Sequence, residues 1–154
     1  MTGSVLRFTC KFFDELTLGE LYEIMALRQI VFVVEQHCPY IDADGKDPKS
    51  WHLMGRNEAG KLLAYARLLP EGVSYPAYVS IGRVVSSPEA RGIGAGRQLM
   101  QAAMAQMGVL FPKQPIRIGA QQYLIKFYES IGFQLDGEMY LEDGIPHVEM
   151  VYLG

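Results

Sequence analysis

The spacing of apolar and polar positions changes period several times along this chain, and each change predicts an element. SVLRFTCKFF is rich in β-branched and aromatic residues and predicts an opening strand, broken by the acidic pair Asp14–Glu15. From Thr17 the period becomes helical. Leu21, Ile24, Met25, Leu27, Val31 and Phe32 recur at helical spacing within TLGELYEIMALRQIVFVVEQ. Thr17, with Glu20 three positions later, forms a capping box at the start. The β-branched cluster from Ile30 to Val34 weakens this helix towards its end. CPYIDADGKDPKS is polar, carries Pro39, Gly45 and Pro48, and predicts a loop.

Two strands around an Asn57–Gly60 turn follow in WHLMGRNEAGKLLAYARLLPEG. YPAYVSIGRVVSS is apolar on both faces, which predicts a central strand. RQLMQAAMAQMG is a helix with an apolar stripe of Leu99, Met100, Ala103, Met104 and Met107. PIRIGA predicts a short strand, and QQYLIKFYESIG a short helix stopped by Gly132. FQLDGEMYLEDGIPHVEMVYL closes the chain with two strands joined at Asp143–Gly144. The order β-α-β-β-β-α-β-α-β-β is that of an α/β (α+β) protein, a mixed sheet with helices on its faces.

At 154 residues the chain is expected to be a single domain over 1–154 with a real core. A net charge of -3 gives no support to nucleic-acid binding, which wants a basic face. No apolar run reaches the roughly 20 residues a membrane span needs, and the N-terminus lacks a signal-peptide pattern. Cys10 and Cys38 are too few for a disulfide framework, so a cytoplasmic protein with free thiols is expected.

SPEARGIGAGRQLM alters this picture, because Gly92, Gly94 and Gly96 stand where a helix should begin. Glycine inside a helix costs roughly 0.5–1 kcal/mol relative to alanine. A strand, a glycine-rich turn and a helix together suggest anion binding, since the helix N-terminus offers unpaired N–H groups and partial positive charge. The dinucleotide pattern G-x-G-x-x-G fails at Arg97. GRNEAGKL nearly matches a P-loop, but Leu62 has no hydroxyl for magnesium and the segment joins two strands. Arg91-x-x-Gly94-x-Gly96 after an apolar strand resembles the R/Q-x-x-G-x-G/A signature of the Gcn5-related N-acetyltransferases. AQQYLIKFYESIGF, after the next strand, is similar to that family's A…FYxxxGF segment. RQIVFVVEQ, DADGKDPKSWHL, IGRVVSSPEARGIGAGRQLM and YLEDGIPHVEM extend the likeness over nearly the whole chain, towards the ElaA-type branch.

The resemblance implies a mostly antiparallel sheet and acetyl-CoA as co-substrate, with transfer to a primary amine inside a ternary complex. Arg91, Gly92, Ile93, Gly94, Ala95, Gly96 and Arg97 would cradle the pyrophosphate. The backbone of Val84, Val85 and Ser86 would meet the thioester end, Gln121 would lie near the pantetheine arm, and Tyr128 would be the general acid.

Two residues compete for the base. His147 in GIPHVEM resembles the C-terminal-strand histidine of glyphosate-type acetyltransferases, and histidine titrates near neutrality. Glu35 follows an apolar run, so burial is expected to raise its pKa. His52 and Arg83 are expected to line the acceptor side. Arg83 would suit a carboxylate, while Glu35 and the aspartate loop would favour a cationic amine. Asp42, Asp44 and Asp47 depart from a calcium loop, with an early glycine and Leu53 at position twelve, so no metal is expected. The partners expected are a small-molecule amine or a peptide, with room for a homodimer and without nucleic acid or membrane. A coenzyme-A-binding regulatory module and a nucleotide-phosphate protein are the rival functions.

Overall fold

The computed structural model describes residues 5–154. Ser4, the first residue of the expected opening strand, lies outside them. β1 (Arg7–Phe12), β2 (Trp51–Arg56), β3 (Leu62–Leu69) and β4 (Ser80–Ser86) form an antiparallel sheet in that order. β5 (Ile116–Gln121) and β6 (Gln134–Leu135) flank β8 (Ile145–Tyr152) in a second sheet, and β7 (Tyr140–Glu142) also pairs with β8. The closing segment expected as two strands is thus three, because Gly137, at φ 111°, separates β6 from β7.

The two sheets touch through one parallel contact. Val79 N–H donates to Pro115 O at 3.1 Å, and Arg117 N–H to Val79 O at 2.9 Å. Beyond this point β4 and β5 form no ladder, and the sheet splays. β4 thus lies between β3 and β5, in the middle of the strand order as expected, but past Val79 its β5 side is open. All eight residues of β3 are buried, whereas β4 borders the opening and is half-buried along its middle.

Thr17 caps α1 (Leu18–Arg28) as expected: its Oγ1 accepts from Glu20 N–H at 3.0 Å, and its own N–H donates to Glu20 Oε1 at 2.8 Å. The β-branched run does not simply fray the helix. Residues Gln29–Glu35 widen into a π-helical segment, with Gln36 N–H reaching Val31 O. Wide turns of this kind relieve the crowding of branched side chains and are frequent beside functional sites.

Each sheet face carries its own helix. α2 (Ala95–Leu110) buries Ala95, Leu99, Met100, Ala103 and Met107 against β3 and β4, in a core that includes Leu53, Leu68 and Ile81. α1 covers the other face, where Ile24, Leu27 and Val31 meet Met54, Tyr65 and Val85. Truncating a core residue such as Leu99 to alanine costs about 2–5 kcal/mol. The third helix is shorter than its sequence pattern. A 3-10 turn over Gln122–Leu124 leads into α3 (Ile125–Glu129), and Gly132 follows at φ 114°.

Candidate active site

The splay between β4 and β5 opens a cleft with two lobes. A glycine lobe, of about 350 Å³, is lined by Ser86, Arg91, Gly92, Gly94, Ala95 and Gly96. A second, narrower lobe, of about 120 Å³, is lined by Tyr40, Arg83, Glu142, Asp143 and His147 among others. Phe32, Gln36, Val84, Gln121, Leu124 and Tyr128 line both, so these six residues mark the seam.

The glycine lobe is built for a close approach. Gly92 and Gly94 have φ of 92° and 74°, where side chains are strained, and Gly94 is the N-cap of α2. Gly96 has an ordinary φ and needs no such freedom. A Cβ built on any of the three meets nothing within 4 Å, so internal packing does not explain them. Gly94 provides no side-chain cap, which leaves the first N–H groups of α2 directed at the lobe. These features fit a phosphate-bearing cofactor. The residues that would hold it are Arg91, Gly92, Gly94, Ala95 and Gly96.

Ile93 and Arg97 do not share this position. The Ile93 side chain packs against the main core, and Arg97 lies over the Phe127 ring at 5.6 Å. The Ile93 side chain is therefore removed from the expected cradle, whereas Arg97 stays at its edge, since Phe127 lines the glycine lobe. Their backbone remains part of the loop.

A β-bulge shapes the floor of the cleft. Tyr65 pairs with Val85 and Arg67 with Gly82, so Ala66 stands opposite both Arg83 and Val84. Arg83 takes φ 49°, uncommon for a residue with a side chain. Past the bulge, Ser87 N–H donates to Leu63 O at 2.7 Å. Strand alternation then turns the backbone of Ser86 away from β3, and Ser86 O accepts from Arg91 Nη2 at 3.4 Å. The Val85 side chain belongs to the core under α1.

Tyr128 is 6% exposed, and no described residue hydrogen-bonds its hydroxyl. Burial pushes its pKa up to about 12, so it stays protonated and able to donate. His147 stands across the seam on β8, in register with Gln121 on β5. Its Nδ1 lies 2.8 Å from Ile145 O, which can only accept. Nδ1 therefore carries a proton, and in the neutral ring Nε2 keeps its lone pair. Tyr140 stacks on the imidazole at 5.8 Å, and Glu142 Oε2 lies 3.9 Å from Nε2.

Two expectations are corrected by their surroundings, and a third is met only in part. Glu35 is exposed, not partly buried: Arg91 donates to both its oxygens at 2.7 and 2.6 Å and holds the carboxyl below its usual range. His52 does not line the cleft. It is fully buried, with Nε2 at 3.0 Å from Asp47 O and Nδ1 at 2.6 Å from the Tyr65 hydroxyl. Arg83 does border the narrow lobe, but its Nε donates to Asp42 Oδ1 at 2.7 Å and its Nη2 contacts Asp44 Oδ2 at 3.3 Å.

The aspartate loop thereby acquires a role that its sequence did not suggest. Asp42, Asp44 and Asp47 engage Arg28, Arg67 and Arg83 in one network. Burial pushes the Asp44 and Asp47 carboxyls up, but the arginine hydrogen bonds outweigh it and hold both below the usual range. The signal was present in the sequence: Arg28 sits on the apolar face of α1 and Arg67 inside an apolar strand, and a buried arginine requires a carboxylate.

Comparison with known proteins agrees with this geometry. Residues 44–153 match the family described as acetyltransferase (GNAT) domain. A UPF0039 protein of Schizosaccharomyces pombe is 47% identical over 148 residues, covering 96% of this chain and 97% of that one. Among solved structures, an acyl-CoA N-acyltransferase from Pseudomonas aeruginosa has 47% identity and a TM-score of 0.90, covering 96% of this chain and 99% of that chain. Escherichia coli ElaA has 39% identity and a TM-score of 0.88, with the same coverage. The chain belongs to the GNAT acetyltransferase family, and its fold is that of an acyl-CoA N-acyltransferase.

Proposed function

We propose that this protein transfers an acetyl group from acetyl-CoA directly to a primary amine, with both substrates in the cleft together. The observation that carries the reading is Tyr128, a buried, protonated hydroxyl at the seam of the two lobes. Acetyl-CoA would supply an activated thioester. The α2 N-terminus and Arg91 bind its phosphates, and the outward backbone of Val84 and Ser86 faces the reacting carbonyl as a donor surface. Gln121 borders the pantetheine path. Tyr128 gives a proton to the departing sulfur, and His147 Nε2 takes one from the amine, directly or through water.

Direct transfer is favoured over a covalent acetyl-enzyme by the state of the two cysteines. Burial, and then Glu15, push the Cys10 thiol up to about 11, leaving little thiolate. Cys38 Sγ donates to Asp143 O at 3.4 Å and so carries its proton.

The test is release of free thiol from acetyl-CoA across a panel of amines, with the intact protein mass followed in parallel. Amine-dependent release with no acetylated protein is expected. Binding of acetyl-CoA without thiol release for any amine would instead favour a regulatory module.

A further inference from the structure

The charges around the narrow lobe do not balance, and the imbalance specifies the acceptor. Resting on the transferase reading above, we infer that the acceptor is a small amine with a second positive group, selected by Glu142 and Asp143.

Arg83 is the one arginine or lysine that borders the lobe among the described residues. It belongs to the network with Arg28, Arg67, Asp42, Asp44 and Asp47, three positive and three negative groups whose charges cancel. Asp42 Oδ1 and its backbone oxygen accept from Arg83 at 2.7 and 3.1 Å, so a substrate carboxylate would have to compete with a buried aspartate. Glu35, the other acidic candidate from the sequence, is held by Arg91 at the glycine lobe.

Glu142 and Asp143 are left. Both border the lobe, and neither meets an arginine or lysine within ion-pair distance among the described residues. The nearest positive candidate is His147 Nε2, 3.9 Å from Glu142, which must be neutral to act as a base. The lobe that receives the acceptor thus has a net negative rim. Its dimensions add a second constraint, since about 120 Å³ admits only a small acceptor.

Two carboxylates at the rim attract any amine, but they discriminate by what its far end carries. A second ammonium gains a nearby opposite charge, an alkyl end gains nothing, and a carboxylate is repelled.

Three probes share a four-carbon chain and one primary amine: 1,4-diaminobutane, 1-aminobutane and 4-aminobutanoate. Their binding to the protein saturated with coenzyme A is measured by calorimetry. The diamine should bind about tenfold more tightly than the monoamine, and the amino acid most weakly. High salt should narrow the first gap. Glu142→Gln with Asp143→Asn should close it, weakening the diamine more than the monoamine; asparagine tolerates the φ of 51° at position 143. Equal binding of diamine and monoamine, tighter binding of the amino acid, or no binding of any of the three overturns the inference. Thiol release is then followed with the diamine and acetyl-CoA. Diamine binding without thiol release keeps the cation selection and contradicts the transferase reading instead.

Discussion

Arg83 Nε donates to Asp42 Oδ1 at 2.7 Å while the backbone of Arg83 itself holds φ 49°. The side chain thus clasps the loop that its own strained backbone faces. That clasp pins the bulge opposite Ala66 and sets where Val84 and Ser86 present their backbone. Two substitutions separate strain from clasp. Arg83→Gly removes both, while Arg83→Ala removes the clasp and keeps a side chain at an unfavourable φ. The glycine variant should be the more stable by roughly 1 kcal/mol in denaturant unfolding. In both, kcat should fall while acetyl-CoA affinity stays close to that of the parent. Equal stabilities would mean that the bulge relaxes once the arginine is gone.

In the proposed mechanism Tyr128 and His147 divide the proton work, and kinetics of the two variants distinguish them. Tyr128→Phe should lower turnover by roughly 10²–10⁴-fold with acetyl-CoA binding little changed. Because burial raises the Tyr128 pKa to about 12, kcat should show no descending limb from this residue below about pH 11. His147→Gln should lower kcat/KM for the amine while acetyl-CoA affinity stays close to the parent's. Near-parent kcat/KM in His147→Gln would mean that the proton leaves to solvent.

His52 makes stability pH-dependent in an identifiable direction. Burial comes first among the causes that lower its pKa, and the Nε2–H bond to Asp47 O opposes it. The unfolded chain therefore takes up a proton below about pH 6.5 that the folded one resists, and stability falls as the pH drops from there. Asp44 and Asp47 act lower down. Their folded pKa values lie below the ordinary aspartate value, so their contribution is present above about pH 4 and is lost as the pH falls further. Thermal unfolding should show two successive losses, one beginning below about pH 6.5 and a steeper one below about pH 4. His52→Asn should flatten the first and leave the second. A melting temperature that is flat from pH 7 to 5 in the parent protein would contradict this account of His52.

Local chemistry was legible in the sequence, and long-range pairing was not. The Thr17–Glu20 box, the Asn57–Gly60 and Asp143–Gly144 turns and the glycine entry to α2 each depend on residues a few positions apart, and each formed where expected. Tyr128 reached the seam because one short helix delivers it. His52 and Glu35 went astray because their surroundings come from distant segments: Tyr65 and Asp47 enclose the first, and Arg91 claims the second across 56 positions. The same reason hid the three-arginine network. Arg28 and Arg67 stand out as arginines in apolar patterns, but their aspartates come from a distant loop, so the sequence marks the need for carboxylates and not which ones. β4 reads as central and lies between β3 and β5, but its apolar pattern does not show that one side faces a cleft rather than a core.

Gly96 offers the most direct test that the glycine entry of α2 seats acyl-CoA. Its φ is ordinary and a Cβ there meets nothing within 4 Å, so the side chain of Gly96→Val starts in open space. Replacing a helical glycine should even favour folding slightly. Gly94→Val is a poorer test, because φ 74° would strain the fold as well. Calorimetric titration of acetyl-CoA into Gly96→Val should show affinity at least about tenfold weaker, with a melting temperature equal to or above the parent's. Unchanged affinity in that folded variant would contradict the account.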